Sequence, residues 1–243
     1  MNINIITLFP EIFDSLDHGL LGQAIQREDI TINKIDLRKY KINKYGQVDD
    51  KPYGGGEGMV LMAEPLEKSI KGIPPHELGR VINLSPQGGL LNQHKARELS
   101  NLNNITIIAG RYEGIDERFI SQYVDEEISI GDFILSGGEF AALALIDSLS
   151  RFIPGVIGNQ KSVDLDSFSE GLLKGPVFTR PDHFNSEAIP DILISGDHRK
   201  IQEWREEQSL MRTFERRPEL LNNIKLTKKQ KKLLEDLASK RIL

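Results

Sequence analysis

The stretch ISIGDFILSGGEFAALALIDSLSRFIPGVIG, residues 128–158, decides the interpretation of the fold because it places a glycine-bearing loop between two apolar segments. The first segment is short, as a buried strand is, and the second has the length and composition of a buried helix. Glycines in the loop let backbone amides and carbonyls approach a ligand closely, since no Cβ intervenes. Taken alone, such a loop is a tight turn as often as a ligand site, so its meaning depends on the rest of the chain.

Arg151 closes the apolar helix of this stretch, just before Pro154 and Gly155. An arginine at a helix C-terminus offsets the negative end of the helix dipole. It can also hold an anion or a developing negative charge. The pattern alone leaves both roles open.

Composition excludes several function classes. The chain has 243 residues, 39% apolar and 28% charged, which is ordinary for a globular protein of one large or two modest domains. It has no cysteine, so disulfides, thiolate catalysis and cysteine-ligated metals are excluded. The N-terminal sequence MNINIITLFPEIF has no basic region of the signal-peptide type, and the longest uncharged apolar run, 140–146, is too short to span a bilayer. We therefore expect a cytoplasmic protein without membrane contact.

Short apolar runs alternate with helical patterns along the chain. Strands are predicted at 3–9, 31–37, 81–85, 105–110 and 127–131. Helices are predicted at 11–17, 63–71, 92–100, 116–123 and 138–152. This alternation predicts an α/β domain with a mainly parallel sheet over residues 1–160. The polar sequence that follows predicts a linker at 161–173, and helical patterns predict a second domain at 174–243.

Three glycine-containing segments follow predicted strands. They are NLSPQGG (83–89), AGRYEGIDER (109–118) and SIGDFILSGG (129–138). Because ligands of open α/β sheets gather at the carboxyl ends of the strands, these segments predict one cleft for a small ligand. None fits the phosphate-loop or dinucleotide glycine patterns. KPYGGGEGM (51–59) follows a polar stretch and lacks a Lys-Ser/Thr pair, so it predicts a flexible loop rather than the phosphate site of a nucleotide hydrolase.

The charge is distributed unevenly. From residue 174 onward the chain carries 15 basic and 11 acidic side chains, a net charge of +4, whereas the preceding residues carry −9. This asymmetry is a modest indication of a polyanionic partner, usually nucleic acid, although the sequence at 226–240 alone is more typical of a solvated helical face. Interleaved arginines and aromatic residues suit phosphate and base contacts. They are Trp204, Arg212, Phe214, Arg216 and Arg217.

A series of motifs then carries a family resemblance over nearly the whole chain. In order they are VDDKPYGGGEGM, LSPQGG, AGRYEGIDER, SIGDFILSGGE, DSLSRFIPGVIG, DSFSEGLL, FTRP and WREEQSLMRTFERRPELL. They resemble the bacterial tRNA (guanine-N(1)-)-methyltransferases, the TrmD family of the SPOUT superfamily. The resemblance implies a mainly parallel α/β domain with a trefoil knot towards its C-terminal half and a small helical C-terminal domain that holds tRNA. It also implies S-adenosyl-L-methionine (AdoMet) as methyl donor and a homodimer with its active site at the subunit interface.

The resemblance further implies which residues surround the donor. They are Leu84, Ser85, Pro86, Gly110, Tyr112, Glu113, Gly114, Ile130, Gly131, Asp132, Phe133, Ile134, Leu135, Gly137 and Gly138. Apolar Ile130 and Leu135 would cover the faces of the adenine ring while backbone groups hold its edge. Two positions depart from the family pattern. Ala141 stands where proline is usual, and Phe133 stands where tyrosine is common.

The implied reaction is methylation of ring nitrogen N(1) of the guanosine at position 37 of tRNA, 3′ to the anticodon. That nitrogen must lose a proton, and negative charge then grows on the neighbouring exocyclic oxygen, so the site needs a base and a cation or hydrogen-bond donor. By its match to the family pattern, Asp166 is the base and Arg151 stabilises the oxygen.

Other assignments stay open at the level of pattern. Asp166 resembles a helix N-cap, Asp164 is an equal candidate for the base, and His183 and His198 are further titratable groups. Magnesium is expected to assist rather than to bind tightly, with Glu113 and Asp166 as the carboxylates that could meet it. Alternative functions are methylation of ribosomal RNA and non-catalytic RNA binding. The C-terminal match to the tRNA family disfavours the first, and the presence of both Asp166 and Arg151 disfavours the second.

Overall fold

Five parallel strands form the main sheet in the computed structural model of the chain, which describes residues 1–158 and 160–241. Two further short strands pair antiparallel with each other. In chain order the strands up to residue 158 are β1 (Asn2–Thr7), β2 (Thr31–Asp36), β3 (Asp49–Asp50), β4 (Val60–Leu61), β5 (Arg80–Leu90), β6 (Asn104–Ile108) and β7 (Glu126–Ser129). The main sheet has the order β2-β1-β6-β5-β7, and all its neighbours are parallel. The predicted α/β class with a mainly parallel sheet is confirmed.

Burial follows from the position of each strand in the sheet. The central strands β1 and β6 are buried over almost their whole length, polar Asn4, Thr7 and Thr106 included, as parallel strands covered on both faces are. The edge strand β2 alternates apolar and polar residues and stays partly exposed. Each of the five strands predicted from the sequence coincides with a strand of this sheet.

Six α-helices accompany the strands up to residue 158, within the described part of the chain. They are α1 (Gly19–Gln26), α2 (Ala63–Lys71), α3 (Pro75–Leu78), α4 (Gln93–Ser100), α5 (Glu117–Tyr123) and α6 (Glu139–Ser150), with 3-10 helices at Pro10–Asp17 and Leu37–Tyr40. The helices predicted at 63–71, 92–100, 116–123 and 138–152 correspond to α2, α4, α5 and α6. The one predicted at 11–17 is a 3-10 helix.

Helix α1 was not predicted, for a physical reason. It contains two glycines and begins without a side-chain N-cap hydrogen bond, so the usual start signal is missing. Its Gly22 packs against the backbone of the preceding helix, where an added Cβ would lie 2.2 Å from the Asp17 carbonyl oxygen. The second glycine therefore reflects a close helix-to-helix approach that local sequence does not reveal.

Strand β5 is interrupted by the residues of the LSPQGG motif. Both Leu84 and Gly89 register against Ile128 of β7, so residues 85–88 leave the ladder as a bulge. A Cβ at Gly88 would lie 2.4 Å from the backbone nitrogen of Ile128, which explains the glycine there. The bulge lies level with the last residue of β6, because Asn83 pairs with Ile108.

The chain divides into two compact units, Met1–Gln160 and Lys161–Leu243. From residue 160 onward the elements are α7 (Gln160–Asp164), β8 (His183–Phe184), β9 (Glu187–Ala188), α8 (His198–Arg216) and α9 (Lys228–Arg241), with 3-10 helices at Asp191–Ile194 and Pro218–Asn223. The short antiparallel hairpin β8–β9 lies before α8, in a region where the sequence predicts a small helical domain.

The segment 161–173, predicted to be a linker, lies within the second unit and is hydrogen-bonded to α8. The Leu173 amide donates to Thr213 Oγ1 at 2.9 Å, and Ser209 Oγ donates to the Leu173 carbonyl at 2.6 Å. The trefoil knot stays a prediction. None of the helices within residues 1–158 and 160–241 combines the length and the apolar character that a membrane crossing requires.

Candidate functional site

A cavity of about 350 Å³ opens at the carboxyl ends of β5, β6 and β7. Three loops line it. We call them the first loop (residues 84–88), the second loop (110–115) and the third loop (130–138). Parallel strands end at one edge of a sheet, and this places three loops that are distant in sequence around one space. The volume lies within the range of about 300–1,000 Å³ typical of small-molecule sites.

Of the fifteen residues expected around a donor, fourteen line this cavity. They are Leu84, Ser85, Pro86, Gly110, Tyr112, Glu113, Gly114, Ile130, Gly131, Phe133, Ile134, Leu135, Gly137 and Gly138. Asp132 is not among the lining residues. Ala141, one of the two departures from the family pattern, also lines the cavity, so a change there is in a position to alter ligand contact.

The second loop is held by the glycine-rich segment 51–59. Glu113 N donates to the Met59 carbonyl at 2.9 Å, and Leu61 N donates to the Gly114 carbonyl at 2.9 Å. Gly58 approaches so closely that an added Cβ would lie 2.5 Å from Glu113 Cγ. This segment therefore supports the cavity wall, a role different from that of a phosphate loop.

Tyr112 gives the second loop an unusual turn. Its φ of 63° lies in the left-handed region, which is costly for a non-glycine residue and concentrates at functional sites. Burial raises the pKa of its hydroxyl, and the nearby Asp49 carboxylate adds to the effect. A tyrosine hydroxyl is protonated at neutral pH, and here it can donate a hydrogen bond at the cavity wall.

The third loop combines a glycine in a conformation that other residues rarely adopt with exposed apolar side chains. Gly131 has a φ of +146°, and its amide donates to Ser129 Oγ at 3.2 Å. Phe133 and Ile134 are 54% and 81% exposed. Large apolar side chains exposed at a cavity mouth are typical of a ligand or partner contact surface.

Asn83 was not predicted, yet it lines the cavity and is buried. Its side-chain nitrogen donates to Glu127 Oε1 at 2.7 Å. Its Oδ1 is buried and finds no hydrogen-bond partner among the described residues, which is costly unless a ligand supplies a donor. An unsatisfied acceptor beside glycine-lined backbone and apolar side chains fits an adenosine-type ligand with amino and hydroxyl donors. The available signal was a polar residue inside the apolar run VINLS.

Arg151 and Asp166, the expected catalytic residues, belong to different units. Arg151 is the C-cap of α6 and is half-buried. Asp166 follows α7 and forms an ion pair with Lys174, whose Nζ lies 3.3 Å from Asp166 Oδ1. The N-cap interpretation of Asp166 is wrong, because no helix begins at the turn that follows it. Asp164 is the last residue of α7.

The other titratable candidates lie elsewhere in the second unit. His183 begins β8, where it is exposed, and His198 is the first residue of α8. Within the described ranges, no group of three or more histidine, aspartate or glutamate side chains is arranged to hold a metal ion.

Helix α8 carries the interleaved arginines and aromatic residues of the second unit. The Phe178 and Trp204 rings lie 6.4 Å apart. Arg217 pairs with Glu219, and its guanidinium stands 6.0 Å from the Phe168 ring. Arg216 is exposed on the same helix.

Helix α9, which contains most of the sequence 226–240, is joined to α8 by an ion pair. Lys229 Nζ lies 2.9 Å from Glu207 Oε1. At least one lysine of this basic segment therefore pairs with a carboxylate of α8.

A glycine-lined cavity at the carboxyl ends of parallel strands is typical of a ligand-binding α/β enzyme. The family model described as tRNA (Guanine-1)-methyltransferase TrmD matches residues 1–223, and the chain belongs to this family.

Curated relatives cover nearly the full length. The tRNA (guanine-N(1)-)-methyltransferase of Staphylococcus haemolyticus is 48% identical over 236 residues, 97% of this chain and 96% of the relative. That of Buchnera aphidicola is 49% identical over 245 residues, covering 99% and 98%. That of Clostridium perfringens strain SM101 is 46% identical over 235 residues, covering 97% and 99%.

Proposed function

We propose that this protein transfers a methyl group from AdoMet to ring nitrogen N(1) of the guanosine at position 37 of tRNA, 3′ to the anticodon, a modification that maintains the reading frame. The observation that carries the proposal is the convergence of three sequence-distant loops on one cavity. Membership of a family of tRNA methyltransferases identifies the chemistry that such a cavity serves.

We assign the cavity to the donor. The backbone of the second and third loops would hold the adenosine edge, and Ile130 and Leu135 would cover its faces. When bound, AdoMet supplies a methyl group on a sulfonium, which needs no covalent enzyme intermediate. Asn83 Oδ1, buried at the wall, accepts a hydrogen bond from the ligand.

The acceptor side needs two functions, and we assign them to Asp166 and Arg151. Asp166 takes the proton from N(1), which makes the ring nitrogen nucleophilic. Arg151 lies beside the exocyclic oxygen and offsets the charge that grows there. Lys174, paired with Asp166, orients this carboxylate before substrate arrives.

Magnesium assists the reaction in this proposal without a dedicated cage. Hard cations prefer carboxylate and phosphate oxygens, so Glu113, Asp166 and the RNA backbone are the groups it would meet. The requirement is therefore expected to be for a weakly bound ion that chelation removes at once.

The second unit provides the tRNA contacts. Arg212 and Arg216 of α8 would meet phosphates, and the Phe178–Trp204 pair offers ring surface to an unstacked base. We further propose a cytoplasmic homodimer in which Asp166 of one subunit completes the donor cavity of the other. The exposed apolar residues of the third loop fit such an interface.

Mass spectrometry of RNA incubated with the protein and isotope-labelled AdoMet tests this function. We expect one labelled methyl group on N(1) of the guanosine 3′ to the anticodon, and none on a transcript in which that guanosine is replaced by adenosine. A parallel incubation with ribosomal RNA is the control. Label on ribosomal RNA alone, or on a different atom of the tRNA, would contradict the proposal.

A further inference from the structure

Glu139 is the most deeply buried carboxylate of the first unit among the described residues, with no exposed surface. It is the first residue of α6, where the positive end of the helix dipole favours a negative charge. Its Oε1 accepts a hydrogen bond from Thr7 Oγ1 at 3.0 Å, and its Oε2 accepts one from Arg111 Nε at 2.9 Å. A buried charge is tolerated only when it is paired and hydrogen-bonded, and both conditions hold here.

Arg111 connects this carboxylate to the second and third loops. It belongs to the second loop, and its Nη1 donates to the Ser136 carbonyl of the third loop at 3.3 Å. Its guanidinium stacks over the Phe9 ring at 4.4 Å, which fixes the plane of the fork. The side chain is only 19% exposed.

Backbone hydrogen bonds also connect the second loop to the third loop, next to the Arg111–Glu139 ion pair. Gly138 N donates to the Gly110 carbonyl at 2.7 Å, and Arg111 forms an isolated β-bridge with Gly137. An added Cβ at Gly137 would lie 2.3 Å from Arg111 Nε, so the glycine leaves space for the guanidinium. In the sequence GGE at 137–139, the glycines therefore line the cavity, Gly137 also leaves space for Arg111, and Glu139 forms the ion pair.

Thr7 extends the network to the central strand β1. Its hydroxyl donates to Glu139 and accepts a hydrogen bond from Phe9 N at 3.0 Å. The network thus joins the end of β1, the second loop after β6 and the third loop before α6. Two of the three loops that line the cavity are fixed to each other through it.

We propose that Arg111 and Glu139 are positioning residues for donor binding: their buried ion pair locks the second loop against the third loop and so sets the shape of the cavity. The inference rests on the assignment of this cavity to AdoMet. A fork-shaped guanidinium makes contacts that an ammonium of the same charge cannot reproduce. Replacing the Arg111 guanidinium would let the second loop move away from the third loop. It would not remove any group that touches the reacting atoms.

The test is calorimetric titration of AdoMet into the full-length wild type and Arg111→Lys, with thermal melts and tRNA affinity measured in parallel. We expect the AdoMet Kd to rise about 10–100-fold, as for other supporting interactions behind a binding site, with tRNA affinity unchanged. The matched control is Arg118→Lys, which alters an exposed pair with Asp116 at 2.6 Å and should leave the AdoMet Kd unchanged.

Thr7→Val keeps the side-chain shape and removes the hydrogen bonds of Thr7 Oγ1 with Glu139 and Phe9 N but leaves the Arg111–Glu139 ion pair, so it should give a smaller shift in the same direction. It carries the test if Arg111→Lys does not fold. A lower melting temperature with an unaltered Kd in the folded variants would reduce the network to a structural role and overturn the inference. Failure of the wild type to bind AdoMet would instead overturn the proposed function, before any variant is compared.

Discussion

In the first unit, the residues around the cavity are joined by backbone hydrogen bonds and a buried ion pair, whereas the arginines and aromatic residues of α8 lie near the surface of the second unit. The buried side chains described in the second unit are Val163, Leu210 and Thr213. A cavity that binds a small ligand through backbone groups needs loops that hold those groups in fixed positions. A surface that meets RNA phosphates needs exposed charge more than it needs order. The two regions therefore respond to substitution in different ways.

The largest effect is expected at Asp166. Asp166→Asn keeps the shape of the side chain but cannot take the proton from N(1), so kcat should fall about 10²–10⁴-fold. AdoMet should still bind, because the groups assigned to hold it belong to the three loops and the amide keeps the shape of the carboxylate. Single-turnover rates together with calorimetry measure both quantities.

Asp164→Asn is the matched control for this variant, since Asp164 is the neighbouring carboxylate at the end of α7. It should retain wild-type turnover. A wild-type rate in Asp166→Asn combined with a loss in Asp164→Asn would move the role of base to Asp164.

A second prediction concerns whether Arg151 and Asp166 of one active site come from opposite subunits of the proposed dimer. Arg151→Ala and Asp166→Asn chains should each be inactive alone. If the two residues serve one site from opposite subunits, mixed dimers contain one intact site, and activity should partly return after the chains are mixed and allowed to exchange. Rates measured before and after exchange report this. No recovery, in a mixture shown by native mass spectrometry to contain heterodimers, would mean that both residues reach the site from the same chain.

A smaller effect is expected at Gly88, in the bulge of β5. Gly88→Ala would press a methyl group against the backbone of Glu127 and Ile128, where an added Cβ lies about 2.4–2.5 Å from three atoms. Overpacking of this kind costs about 1–3 kcal/mol. Denaturant unfolding and AdoMet titration should both show the loss.

Gly89→Ala is the matched control, because nothing lies within 4 Å of a Cβ added there. Its free energy of unfolding and its AdoMet affinity should stay near the wild-type values. Equal losses in the two variants would contradict the claim that close approach of the β5 bulge to β7 shapes the first loop.

The sequence revealed those parts of the fold that depend on local pattern. Apolar runs gave the strands of the main sheet, and glycines after them marked the three loops. Strand order could not be predicted, because β6 inserts between β1 and β5 through pairings of distant segments. Helix α1 was missed because its Gly22 serves a tertiary contact rather than the helix itself.

The predicted donor residues also came from motifs rather than from geometry, and this explains which lining residues were overlooked. Asn83 and Arg111 are polar residues whose role depends on partners 44 and 28 positions away, Glu127 and Glu139. No local pattern reports such pairing. The N-cap interpretation of Asp166 failed for the opposite reason: a local signal was present, but the following residues form turns rather than a helix.

In this proposal the first unit binds AdoMet and the second unit binds tRNA. The most direct test measures both affinities for two variants: Arg111→Lys in the first unit and the double variant Arg212→Ala/Arg216→Ala in the second. We predict that the first weakens only AdoMet binding. The second should weaken only tRNA binding, and it should flatten the dependence of log affinity on log salt concentration by about 0.7–0.9 per lost phosphate contact. An unchanged salt slope in the double variant, or a loss of both affinities in either variant, would contradict this account.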